Sequence, residues 1–143
     1  MTNNVKDSVQ NQNPVENIKK KTGVLICVIE DDKFLRELLV RKLEMVGFVI
    51  SAIADGKGIL EKVKEEMPKL ILLDLVLPGV DGFDILEDIK QDPQTSKIPV
   101  IILSNLGQKE EVEKGLSMGA GDYMIKAHFT PDEIIKKVKE LLK

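Results

Sequence analysis

The sequence predicts an α/β domain, a doubly wound parallel sheet with helices on both faces. Three observations predict it. Five short, mainly apolar strand segments alternate with five segments whose apolar residues recur at helical spacing. The runs are apolar nearly throughout, as in strands buried on both faces, rather than alternating with polar residues. Four of them end in polar groups: Glu30 and Asp31, Asp74, Ser104, and Lys126. Parallel strands share one carboxyl edge, and open sheets of this kind bind their ligands there.

The elements follow in order. Residues 1–22 are polar, with Asn, Gln and a Lys19-Lys20-Lys21 run, and predict a flexible tail. The domain proper is expected over residues 23–143. Val24–Ile29 reads as strand one and ends in Glu30-Asp31-Asp32, where Asp32 suits a helix N-cap. Phe34, Leu35, Leu38, Leu39, Leu43 and Val46 recur at helical spacing and predict the first helix, stopped by Gly47. Phe48–Ile53 is strand two. Asp55 is placed to cap a helix running to about Met67, with Ile59, Leu60 and Val63 inward and Pro68 ending it.

Leu70–Leu73 is the third strand, and it runs into Asp74 with a Pro78-Gly79 turn soon after. Gly82 begins a third helix, with Phe83, Ile85, Leu86 and Ile89 apolar, and Asp92-Pro93 closes it. Ile98–Leu103 is strand four. Lys109 to about Met118 is a fourth helix, with Val112 and Leu116 facing in. Asp122–Ile125 is strand five. Thr130-Pro131-Asp132-Glu133 reads as a capping box with Pro at the first helical position, opening a last helix whose Ile134, Ile135, Val138, Leu141 and Leu142 share a face.

Composition narrows the function. The 143 residues suffice for one domain with a real core. A net charge of −3 and 3% aromatic residues without Trp argue against a basic groove or a base-stacking platform. The single Cys27 has no partner for a disulfide or zinc site, and the single His128 cannot build a multi-histidine centre. No apolar stretch is long enough to span a membrane, and the amino terminus lacks a hydrophobic signal segment, so a cytoplasmic location is expected.

The polar strand ends suggest a chemistry. Three converging carboxylates repel one another and call for a cation. Hard oxygen ligands suit Mg²⁺, with Mn²⁺ as an alternative. Lys126 adds a fixed positive charge, and Ser104 a hydroxyl for an oxyanion. A nucleophilic carboxylate, a divalent metal, a lysine and a hydroxyl are the parts that phosphoryl transfer to an aspartate requires.

The segments Val28-Ile29-Glu30-Asp31-Asp32, Leu73-Asp74-Leu75-Val76-Leu77-Pro78-Gly79-Val80-Asp81-Gly82, Pro99–Ser104 and Gly121–Lys126 together resemble the response-regulator receiver domains of two-component signalling, stand-alone type. The resemblance covers roughly Val24 to Leu142. It implies a (βα)5 flavodoxin-like fold with strand order 2-1-3-4-5. It implies Asp74 as phosphoacceptor, Asp31 and Asp74 as metal ligands, Glu30 acting through a metal-bound water, and the backbone carbonyl of Val76 as a further ligand. Ser104 and Lys126 would bind the phosphoryl group, and Tyr123 would be the switch that follows Ser104. A histidine kinase or phosphotransfer protein would supply phosphate to this phosphorelay component. The altered face would be helix four, strand five and helix five.

Because the last predicted helix ends the sequence, the output is expected to be a downstream protein effector, with no direct contact to nucleic acid or membrane. A phosphorylation-dependent homodimer through that face stays open. The chain departs from the family at Lys126-Ala127, where Lys-Pro with a cis bond is usual; a trans bond and a rearranged loop are expected. Val76 and Leu106 are apolar where the family flanks the hydrolytic water, which implies a long-lived phosphoryl group.

Rival readings fit less well. A haloacid-dehalogenase-type phosphatase needs an Asp where Val76 stands. A dinucleotide-binding domain needs Gly-x-Gly-x-x-Gly where Glu30-Asp31-Asp32 stands. A phosphorylation-independent receiver-like interaction module is the remaining alternative.

Overall fold

The computed structural model describes residues 23–143; the tail predicted over residues 1–22 lies outside them. The chain runs β1 (Leu25–Ile29), α1 (Lys33–Met45), β2 (Val49–Ile53), α2 (Ile59–Glu66), β3 (Leu70–Leu73), α3 (Gly82–Gln91), β4 (Val100–Ser104), α4 (Lys109–Ser117), β5 (Asp122–Ile125) and α5 (Pro131–Leu141). The five strands pair in parallel in the order β2-β1-β3-β4-β5, as predicted. Between β3 and α3, Val76–Leu77 pairs antiparallel with Val80–Asp81 in a small hairpin turned by Pro78-Gly79. Gly79 has φ 72°, the left-handed region that favours glycine.

Successive residues of each buried strand point to opposite faces. Cys27, Ile29, Ile71, Leu73, Val100 and Ile102 meet Val63 of α2 and Leu86 and Ile89 of α3. Ile26, Val28, Leu70, Leu72, Ile101 and Leu103 meet Leu39 and Leu43 of α1 and Ile134, Ile135 and Val138 of α5. Each such aliphatic side chain contributes about 1.5–3 kcal/mol on burial. Two cores on one sheet hold the strand ends rigidly in register.

Caps set the helix starts beside those ends. Asp32 Oδ1 accepts from Leu35 N at 3.0 Å and starts α1. Asp81 Oδ1 accepts from Phe83 N at 2.8 Å and starts α3. Thr130 and Glu133 form the expected capping box.

Several expectations need correction. Asp55 does not cap α2: its carboxylate accepts from Lys57 N at 3.0 Å in a turn, and the helix starts at Ile59 because Gly58 sits at φ 66°. Phe34 is 78% exposed and Leu116 45% exposed. Helical spacing put Leu116 on the inward face and counted Phe34 in the apolar repeat, but neither joins the two cores. On α4 the buried position is Gly115. Strand four begins at Val100, because the preceding Pro99 has no N–H for the ladder.

The Lys126–Ala127 bond is trans, as expected, since the described residues contain no cis peptide. A 3₁₀ turn over Lys126–His128 then leads toward α5. No helix among the described residues is long and apolar enough to cross a membrane.

Candidate functional site

Register brings the polar strand ends together. Ile29 lies opposite Leu73, so Glu30 and Asp74 leave adjacent strands at one level, and Asp74 N donates to Ile29 O at 3.0 Å. Ser104 lies opposite Ile125, which places Lys126 one residue beyond it. One oxygen each from Glu30, Asp31 and Asp74 lie within 4.8 Å of one another. Glu30 and Asp74 are buried, at 2% and 4% exposure, and Asp31 is exposed at the rim.

Lys126 reaches into this group. Its Nζ donates to Asp74 Oδ2 at 2.8 Å and lies 2.9 Å and 3.0 Å from the two Glu30 oxygens. Asp74 Oδ1 accepts from Val76 N at 3.1 Å, and Glu30 Oε2 also accepts from Asp32 N at 3.1 Å. Burial pushes the Glu30 carboxyl above its usual range, against the hydrogen bonds from Lys126 and Asp32. For Lys126 burial acts to lower the pKa, but the hydrogen bonds and charges of Asp74 and Glu30 outweigh it and hold the ammonium above its usual value.

Ser104 is fully buried, and its Oγ accepts from Leu106 N at 3.3 Å. Leu106 O in turn accepts from the Tyr123 hydroxyl. Tyr123 is turned inward and 9% exposed, and burial pushes its phenol up to about 12. The Leu106 backbone, through its N–H and its carbonyl, therefore links Ser104 to Tyr123. Gly115 makes room for the ring: a Cβ there would lie 3.0 Å from Tyr123 Cδ2 and 2.6 Å from Ile102 Cδ1.

The structure thus joins Glu30, Asp31, Asp74 and Lys126 in one cluster, and Ser104 and Tyr123 in a second chain of bonds beside it. Val76 sits on the hairpin that follows Asp74 and is tied to it through its N–H. His128 lies exposed in the 3₁₀ turn.

Sequence reading missed three contributors. The Leu106 backbone carries the Ser104–Tyr123 link, and no side-chain pattern signals that. Arg36 donates to the carbonyls of Glu30 and Asp31; an arginine on a polar helix face gives no signal. Gly115 was readable in principle, because a glycine inside a helix costs stability and asks for a packing reason.

The chain can now be set beside known proteins. Residues 26–139 match the family model described as "Response regulator receiver domain". The phosphate regulon transcriptional regulatory protein PhoB of Rhizobium meliloti is 37% identical over 118 residues, 82% of this chain and 52% of the relative. The DNA-binding dual master transcriptional regulator RpaA of Synechocystis is 39% identical over 119 residues, 82% of this chain and 48% of the relative.

Two solved structures agree with the fold. The receiver domain of Francisella response regulator 1452 has TM-score 0.76 at 32% identity, covering 84% of this chain and 97% of that one. The BeF3-activated N-terminal receiver domain of Klebsiella pneumoniae RstA has TM-score 0.75 at 28% identity, covering 83% and 98%.

These relatives correct one expectation. The exclusion of nucleic acid rested on charge, aromatic content and the position of the last helix, yet the matched relatives are transcriptional regulators, one named as DNA-binding. The chain spans about half the length of the curated relatives it matches, and its composition does not decide contact with nucleic acid. By the match over residues 26–139, the chain belongs to the response regulator receiver domain family.

Proposed function

We propose that Asp74 accepts a phosphoryl group from a phosphohistidine of a histidine kinase in the cytoplasm, and that this changes the face made by α4, β5 and α5. The observation that carries the reading is the Lys126 Nζ–Asp74 Oδ2 contact of 2.8 Å beside three gathered carboxylates. Three acids against one ammonium leave an excess of negative charge, and their oxygen donors fit Mg²⁺ or Mn²⁺. Asp31, Asp74, the Val76 carbonyl and, through water, Glu30 would hold the ion. Once bound, it supplies positive charge against the oxygens of the transferring group.

The chain's own residues do the rest. An Asp74 carboxylate oxygen forms the bond to phosphorus as the donor's phosphorus–nitrogen bond breaks. The electron pair of that bond stays with the leaving imidazole. Val76 N on Oδ1 orients the carboxylate. Lys126 moves its charge from Asp74 Oδ2 toward the phosphoryl oxygens while Glu30 keeps hold of it. The Ser104 hydroxyl accepts from Leu106 N, so its own proton is available to a phosphoryl oxygen. Movement of Ser104 is felt at Leu106 and so at Tyr123, which lies between β5 and α4.

The test is intact-protein mass after incubation with a small acyl-phosphate donor, with and without Mg²⁺, for wild type and Asp74→Ala. A phosphoryl-sized gain that requires both Mg²⁺ and Asp74 is expected. No gain in a folded wild-type protein would refute the reading.

A further inference from the structure

We infer that Arg36 is a positioning residue for the acidic turn. Its side chain clamps two consecutive backbone carbonyls so that the carboxylates of Glu30 and Asp31 are held ready for a divalent cation. The inference rests on the reading of the site as a Mg²⁺-dependent phosphoacceptor.

Arg36 lies in the first turns of α1, after the N-cap Asp32. Its Nη1 donates to Glu30 O at 2.8 Å and to Asp31 O at 3.2 Å. Its backbone N donates to Asp32 O at 2.9 Å. The guanidinium therefore ties two successive peptide planes, and the third bond is the ordinary first-turn bond of the helix. Fixing a peptide plane on each side of a Cα fixes the direction of its Cα–Cβ bond. With the Glu30 and Asp31 carbonyls drawn to α1, their side chains are committed to the side where Asp74 and Lys126 lie, and Asp32 is left to cap the helix.

The exposed Asp31 depends on this most. Glu30 is also held by Lys126 and by Asp32 N, whereas Asp31 sits at the rim, where a loose turn would let its carboxylate wander. The clamp is made by a guanidinium, whose planar fork offers several donors. Its positive charge also repels a cation, which opposes the effect of positioning. The two contributions predict opposite results and can be separated by variant. A lysine keeps the charge but ends one bond short of Nη1. A methionine removes both charge and donors.

The experiment uses the full chain. Mg²⁺ is titrated calorimetrically into wild type, Arg36→Lys, Arg36→Met and the exposed control Arg41→Met. Amide hydrogen exchange at Asp32 is measured without metal. Both Arg36 variants are expected to bind Mg²⁺ about ten-fold more weakly, the scale seen when groups that orient metal ligands are removed, with Arg41→Met unchanged. Exchange at Asp32 is expected to quicken by about ten-fold in both, the scale of one hydrogen bond to a charged group.

Wild-type Mg²⁺ affinity in both Arg36 variants overturns the inference, as does tighter binding in Arg36→Met with no change in Arg36→Lys, which would assign the effect to charge. If wild type itself binds no Mg²⁺, the phosphoacceptor reading fails. The exchange at Asp32 then still decides whether Arg36 holds the turn. A purely structural role would lower the melting temperature and leave the Mg²⁺ affinity of folded protein unchanged.

Discussion

Gly115→Ala tests the seat of Tyr123. On an ordinary helix this change stabilises by about 1 kcal/mol. Here the added methyl would lie 2.6 Å from Ile102 Cδ1 and 3.0 Å and 3.2 Å from Tyr123 Cδ2 and Cε2. The Ile102 terminus can rotate away. The ring is less free, because its hydroxyl is bonded to Leu106 O and its faces are packed. Overpacking of this kind costs about 1–3 kcal/mol. The expected net effect is a loss of about 1 kcal/mol, with the ring displaced toward solvent. Urea denaturation reads the first quantity. The second is read by acrylamide quenching of tyrosine emission, since Tyr123 is the only Tyr and the chain has no Trp. Stability that rises by the full helix-propensity gain, with emission still protected, would refute the reasoning.

Three more perturbations follow from the same geometry. A Cβ at Gly82 would lie 2.3 Å from Leu75 Cα and 2.7 Å from its carbonyl oxygen, backbone atoms that cannot turn aside. Gly82→Ala is therefore expected to lose at least about 3 kcal/mol in a denaturant melt. Glu30 is held above the usual carboxyl value of 4.5, chiefly by burial, so the folded state binds its proton more tightly than the unfolded chain. The stability from this group is fully present below 4.5 and declines as pH rises through the raised value. Glu30→Gln should remove that decline in metal-free melts across this window. Val76 is 56% exposed, and it and Leu106 offer an attacking water no hydrogen-bonding side chain. A Val76→Asn, Leu106→Glu double variant is expected to lose phosphate about ten-fold faster, the worth of one good hydrogen bond, as followed by intact mass over time.

The sheet was legible because β1, β3 and β4 are almost wholly aliphatic runs, and the order of elements leaves little topological freedom. The acidic cluster was legible because parallel register carries Glu30, Asp31, Asp74 and Lys126 to one edge whatever the loops do. What stayed hidden depends on tertiary detail. Phe34 and Leu116 match the helical period, but periodicity alone does not show which apolar residues reach a core. Asp55 can cap a helix or close a turn, and Gly58 decides between them. The Arg36 clamp and the Leu106 link use backbone acceptors, which every residue possesses and no sequence marks. Nucleic-acid contact was judged from the composition of a chain that spans only half of its relatives, and bulk charge does not carry that information.

The strand order also divides labour within the molecule. Every carboxylate of the cluster comes from β1 and β3, which are flanked on both sides by paired strands. Ser104 and Lys126, proposed to bind the phosphoryl oxygens, and Tyr123, proposed to follow Ser104, come from β4, the turn beyond β5, and β5. The β5 strand is bonded along one edge only, so shifting it with α4 and α5 disturbs a single ladder. On the proposed function, the chemistry would sit in the stiff middle of the sheet and its readout on the margin. A domain arranged this way can exchange partners by changing its margin alone, leaving the reactive centre as it was.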